Sequence, residues 1–156
     1  MRADGFASFY AEHHAKLWAY LVRMGASHAL ASDLTQETFV RWLERNDAAF
    51  EGNARAYLYR VALNLYFDHA RRGKREVAWD AVTDVAAATP GDAEIPQHVW
   101  RRLTTRERQL LWLSYAEGFT HDEIASITHL AAGSIRVLLS RARARFKTLQ
   151  EEHDHA

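Results

Sequence analysis

Arginine and lysine recur along residues 132–149 with a spacing that lets one helix present cations to a polyanion. Ser134, Arg136, Val137, Ser140 and Arg141 fall in the first turns, where a helix entering the major groove of duplex DNA sets side chains against base edges. Arg143, Arg145 and Lys147 follow on successive turns, positioned to hold phosphates, which adds affinity without reading sequence. On these residues alone the alternative is a solvated basic face on a bundle helix. A second constellation lies at 54–75, where Tyr57, Tyr59, Tyr66 and Phe67 are interleaved with Arg55, Arg60, Arg71, Arg72, Lys74 and Arg75. Rings that stack on unpaired bases while cations hold the backbone are the chemistry of single-strand binding. Packing in a core is the competing use of those rings, and Tyr66 is assigned to the core. The cations at 71–75 also suit a helix C-terminus, where they meet the macrodipole.

Other chemistries find little support. Nine histidines and no cysteine are present, which removes disulfides, thiol nucleophiles and every Cys-containing zinc site. Adjacent histidines such as His13 and His14 point in different directions on a helix, and the terminal His153-Asp154-His155 is too short a tail to be held rigidly. No metal site, no cofactor and no catalytic residue is expected: there is no paired-carboxylate arrangement, nucleophile triad or glycine-rich phosphate loop. The chain is read as a non-enzyme.

The formal net charge is zero, from 20 basic and 20 acidic residues, yet the charge is unevenly laid out. Residues 52–76 carry a net +4 and 100–149 a net +5, while 77–99 hold no lysine or arginine and a net −4. Two polyanion-facing modules joined by a segment that avoids polyanions fit this layout. At 156 residues and 48% hydrophobic content the chain can bury a core, and no apolar run reaches the ~20 residues of a membrane span. With no legible secretory signal, the expected location is the cytoplasm.

Helical periodicity organises both modules. Phe6, Phe9, Tyr10, Leu17, Tyr20, Leu21 and Met24 recur at three-and-four spacing within 1–26, and Gly25 is a natural stop. A second helix over 28–46 sets Leu30, Leu34, Phe39, Trp42 and Leu43 against a polar stripe of Asp33, Gln36, Glu37, Arg41 and Glu44. A third starts after Asn53 and runs to about Arg72, with Leu58, Val61, Ala62 and Leu65 inward. Both prolines fall between Val77 and Gln97, which reads as a linker. Thr104-x-x-Glu107 and Thr120-x-x-Glu123 match the capping box and start helices over about 104–116 and 121–128. A break at 129–131 precedes a longer helix over 132–149, with Ile135, Leu138, Leu139, Ala142, Phe146 and Leu149 inward. The short helix, turn and longer basic helix form a helix-turn-helix. The fold class is all-α, as two small helical domains joined by a flexible linker.

Three ordered motifs give this chain its resemblance to a known group. DLTQETFVRW (33–42), ARAYLYRVALNLYFDHARR (54–72) and the pair LTTRERQLLWLSYAEGFTHDEIA (103–125) with GSIRVLLSRARARF (133–146) resemble the extracytoplasmic-function RNA polymerase sigma factors of bacteria. The resemblance implies a transcription initiation factor that binds core RNA polymerase, directs it to promoters and helps to melt them. It implies a domain at 1–76 for polymerase docking and the minus-ten element, an acidic linker at 77–97, a domain at 98–150 for the minus-thirty-five element, and an acidic tail at 151–156. Asp33, Gln36, Glu37 and Arg41 would dock on the polymerase clamp, with Phe39 anchoring their helix from inside. Arg55, Tyr57, Arg60, Asn64, Arg71, Arg72 and Lys74 would meet the minus-ten element, with the loop at 50–57 receiving a base flipped from the non-template single strand. Ser134, Arg136, Val137, Ser140, Arg141 and Arg143 would meet the upstream duplex. An anti-sigma factor is the further implied partner.

The chain departs from the family pattern at the helix-turn-helix. His129 stands where glycine is usual, Ala131 where serine or threonine often precedes the recognition helix, and Val137-Leu138 where a small polar residue and arginine are usual. These departures keep two alternatives in view: a helix-turn-helix regulator that never touches polymerase, and a sigma mimic that titrates an anti-sigma factor.

Overall fold

The computed structural model describes residues 3–44, 53–73 and 96–155, all helical or in short connections, with no strand among them. They form two compact units, α1–α3 and α4–α7.

In the first unit, α1 (Ala3–Met24), α2 (His28–Glu44) and α3 (Ala54–Gly73) pack pairwise. Gly25, at φ 121°, ends α1: its N–H bonds to the Val22 carbonyl and that of Ala26 to Leu21. That is a Schellman stop, which needs a left-handed residue at this point. Ser27 then caps α2 by accepting from the Leu30 N–H, and Asn53 caps α3 by accepting from the Ala56 N–H. Leu17, Tyr20, Leu21, Met24, Leu58, Tyr59, Ala62 and Tyr66 are almost fully buried. The Tyr66 hydroxyl donates to the Met24 carbonyl at 2.8 Å, tying α3 to the end of α1. Tyr66 is therefore core, as expected, and so is Tyr59, which the sequence also offered as a base-stacking ring. Phe9 stacks on Trp42 at 4.5 Å, fixing which side of α2 faces inward. Burial holds the Arg23 guanidinium below its ordinary range.

The second unit contains a helix that the sequence did not announce. α4 (Gln97–Arg102) begins at a residue assigned to the linker, with Pro96 before it and Val99 and Trp100 buried. α5 (Thr105–Leu111) and α6 (His121–Thr128) both start at complete capping boxes; Thr104 and Thr120 each accept from the backbone N–H three residues on and donate their own N–H to Glu107 and Glu123. The expected helix over 104–116 is α-helical only to Leu111 and continues as a π-helical turn, Trp112–Ala116. There the N–H of Glu117 reaches five residues back to the Trp112 carbonyl.

α7 (Ala132–Asp154) packs Ile135, Leu139, Ala142 and Leu149 against α5, α6 and α4. Leu138 and Phe146 are only half-buried. The helix runs on through residues 151–154, so most of the acidic tail is helix rather than appendage. Lys74, residues 77–95 of the linker and residues 50–52 of the base-receiving loop lie outside the described residues.

Candidate interaction surfaces

The outer face of α2 is set by what lies beneath it. Phe39 and Trp42 are 3% and 5% exposed and Thr38 bonds back to the Leu34 carbonyl, so the opposite side must face solvent. Asp33, Gln36, Glu37, Arg41 and Glu44 are all exposed and line one shallow groove with Val40. Arg41 pairs with Glu37 one turn away, at 2.8 Å, on a surface where such a pair contributes little to stability. Leu43, expected inward with Trp42, is instead 41% exposed, and Val40 is 54% exposed. Val40 stands among Asp33, Gln36, Glu37 and Glu44 within the groove, and Leu43 lies at the margin of the stripe beside Gln36. Their spacing beside Asp33 and Gln36 was the signal available in the sequence.

α3 gathers only part of its candidate set. Tyr57, Arg60, Asn64, Phe67, Asp68 and Arg71 fall within an arc of about 100° when each residue turns the helix by 100°. Asn64 and Arg71 are exposed and the other four partly so, and Asp68 forms an ion pair with Arg71, which tempers the positive charge there. Arg55 lies across the helix, its guanidinium carbon 5.5 Å over the ring of Tyr59. With Tyr59 and Tyr66 buried, Tyr57 and Phe67 are the accessible rings.

On α7, Ser134, Arg136, Val137, Ser140, Arg141 and Arg143 are all exposed, as a base- and phosphate-contacting helix requires. The turn before it is built from unusual residues. His129 sits in the left-handed region at φ 63°, ψ 22°, and Ala131 occupies the N-cap with no side-chain acceptor. Arg145 departs from the phosphate-contact expectation, lying 3.4 Å from Glu107 and donating to the Arg102 carbonyl. Arg143 donates to the Tyr115 hydroxyl at 2.9 Å, beside an apolar cavity of about 350 Å³ lined by Trp100, Leu111, Trp112, Tyr115, Ala116 and Phe146. The π-helical turn supplies three of those walls, which is why periodicity gave no hint of the cavity.

Residues 9–76 match the family Sigma-70 region 2, and residues 98–146 match Sigma-70, region 4. The chain is 30% identical over 141 residues to the ECF RNA polymerase sigma factor EcfG of Rhodopseudomonas palustris, covering 85% of this chain and 78% of that one. This chain belongs to the extracytoplasmic-function (ECF) family of RNA polymerase sigma factors. It is a transcription initiation factor, and the two matched regions are those with which sigma factors bind core RNA polymerase and promoter DNA. SigL of Mycobacterium tuberculosis is a further relative of this sigma factor, 30% identical over 156 residues, covering 92% of this chain and 88% of SigL. Among solved structures, this sigma factor is similar to RpoE of Bartonella quintana in complex with the anti-sigma factor NepR, with a TM-score of 0.76 and 25% identity over 96% of this chain and 98% of that one. CnrH in complex with the cytosolic domain of CnrY shares its fold, with a TM-score of 0.68 at 20% identity, covering 97% of this chain and 90% of that one. No described helix of this sigma factor is long and apolar enough to cross a membrane.

Proposed function

We propose that this sigma factor divides its work among three helices. α2 docks on the polymerase clamp through Asp33, Gln36, Glu37 and Arg41 around Val40, with Leu43 at the margin. α3 meets the minus-ten element through Tyr57, Arg60, Asn64 and Arg71, with Arg55, Arg72 and Lys74 holding the flanking backbone. α7 enters the major groove of the minus-thirty-five element with Ser134, Arg136, Val137, Ser140 and Arg141 at the bases and Arg143 at a phosphate. The observation that carries this reading is the exposure of the whole polar stripe of α2 over a buried Phe39 and Trp42, which a DNA-binding module alone leaves without purpose.

Melting follows from the same surfaces. Extruding a base costs a few kcal/mol, and stacking on Tyr57 with backbone contacts from Arg60 and Arg71 offsets it. The domain limits follow the functions, 1–76 and 98–150, with the acidic linker at 77–97 passing the RNA exit path, where lack of cations keeps it from clinging to transcript. The chain supplies no catalytic group; polymerase performs the chemistry, in the cytoplasm. RpoE of Bartonella quintana is held by an anti-sigma factor, and the same class of partner regulates this chain by covering one or both domains.

Promoter-specific runoff transcription with purified core polymerase tests the reading. A defined start site that depends on this protein is expected, and Asp33→Lys or Glu37→Lys should abolish it by weakening association with core. A regulator or a mimic gives no defined start, and charge reversals that leave core binding untouched overturn the docking assignment.

A further inference from the structure

Val137 is one of the few large apolar side chains left exposed among the described residues, at 48%, and neither folding nor local structure accounts for it. It contributes nothing to the buried seam of α7, which runs through Ile135, Leu139, Ala142 and Leu149. Valine is also a poorer helix former than alanine, because its branched Cβ restricts χ1 against the preceding turn. An exposed position on a long helix therefore gains nothing intrinsic from it.

Its neighbours leave it standing clear. At 100° per residue, Gly133, Ser140 and Ala144 lie within about 60° of Val137 on one side, and all are small. Gly133 is not required by packing, since a Cβ built there meets nothing within 4 Å. Gly133 lies in the first turn of α7, where the missing Cβ keeps the strip low and lets another surface approach the backbone closely. Arg136 and Lys147 flank this low strip on one side and Arg141 on the other. Cations at both margins and a low centre with one apolar knob match a groove whose walls are phosphate and whose floor is base edges.

Valine offers no hydrogen-bond donor or acceptor from its side chain. On the floor of the major groove one base alone presents an apolar group, the 5-methyl of thymine. We propose that Val137 is a specificity-determining residue that reads a thymine methyl group in the upstream promoter element. The inference rests on α7 being the base-contacting helix and names which base one of its residues selects.

Thymine-to-uracil replacement isolates the methyl group, because it leaves every hydrogen-bonding atom in place. Holoenzyme assembled from the full chain and core polymerase is used to select duplexes from a library randomised in the upstream element, and each selected thymine is then replaced by uracil. One position should weaken wild-type binding by about four-fold, the worth of one buried methyl group, and in Val137→Ala the thymine-to-uracil ratio should fall to near one. Circular dichroism of Val137→Ala should be unchanged, since the site is exposed and alanine favours helix. The inference is overturned if no thymine responds, if the response survives in Val137→Ala, or if Val137→Ala loosens holoenzyme assembly in the absence of DNA, which would make Val137 a protein contact. The two readings fail differently. A library that yields no upstream preference removes the base-contacting role of α7 itself. A clear preference that relaxes in Arg136→Ala or Arg141→Ala, with a thymine-to-uracil ratio indifferent to Val137, removes only the methyl contact.

Discussion

The Arg143 guanidinium donates a hydrogen bond to the Tyr115 hydroxyl at 2.9 Å, joining the middle of the recognition helix to the π-helical turn 28 residues earlier. Tyr115 is 61% exposed, so it is the widened turn, not core packing, that brings the hydroxyl there. An arginine already held in one orientation loses less side-chain entropy when it meets a phosphate. Tyr115→Phe should therefore weaken promoter duplex binding by about two- to five-fold, the worth of part of one hydrogen bond, with little change in stability. Fluorescence anisotropy of holoenzyme on labelled duplex measures it, and equal affinity would mean that the pair is incidental.

His129 occupies the left-handed region, which costs any L-residue some strain although histidine, like asparagine and aspartate, enters it more readily than most. Glycine removes that strain but adds unfolded-state entropy, so His129→Gly should stabilise the second unit by about 0.5–1 kcal/mol net. His129→Val should destabilise it by more, because a β-branched residue resists positive φ. Native-state hydrogen exchange at the buried Ile124 and Ile135 amides reports this unit without reading the other.

Ala131 leaves the first turn of α7 without a side-chain acceptor, whereas Thr104 and Thr120 supply one to α5 and α6. Ala131→Ser should add about 1 kcal/mol, and Thr120→Ala should remove a similar amount. The same exchange measurement checks both. If Ala131→Ser is neutral, the bond from the Ser134 N–H to the Ala131 carbonyl at 2.9 Å, together with solvent, already satisfies that turn.

Leu43 separates two readings of α2 by the sign of two measurements. A core leucine truncated to alanine costs about 2–5 kcal/mol of stability, but at 41% exposure Leu43→Ala should cost under about 1 kcal/mol and instead weaken core polymerase binding about ten-fold, as an interface anchor does. Val40→Ala should act in the same direction. Urea denaturation and competition for core enzyme give the two numbers, and a large stability loss with unchanged binding would return Leu43 to the core.

That contrast also marks how far the sequence could be read. Gly25, Asn53, Thr104 and Thr120 were legible because capping depends on residues within a few positions of each other. Leu43 was not, since Trp42 and Leu43 are adjacent apolar residues and only the stacking of Phe9 on Trp42 decides which turns inward. Tyr59 failed for the same reason: a ring between arginines suits a base or a core until the neighbouring helix is placed. α4 is a six-residue helix, too short for periodicity to show, and the π-helical turn breaks the 3.6-residue period that would have revealed Tyr115. The exposed cations of α7 were found because charge on a long regular helix survives any packing arrangement.

Arg145 and Lys147 sit two residues apart on α7, and their different surroundings predict different effects of removing each. Arg145 lies 3.4 Å from Glu107 and donates to the Arg102 carbonyl, so its charge is engaged within the unit. Lys147 is exposed on the same margin as Arg136 and Arg143. Each phosphate neutralised in duplex DNA releases condensed counterions and steepens the dependence of log affinity on log salt by about 0.9. Lys147→Ala should flatten the slope of holoenzyme binding by about that amount while leaving sequence preference intact. Arg145→Ala should leave the slope nearly unchanged and destabilise the second unit by up to about 1 kcal/mol, as expected for a partly exposed ion pair. Affinities over a salt series for wild-type and both variants decide the matter. A flattened slope for Arg145→Ala would show that DNA draws Arg145 away from Glu107.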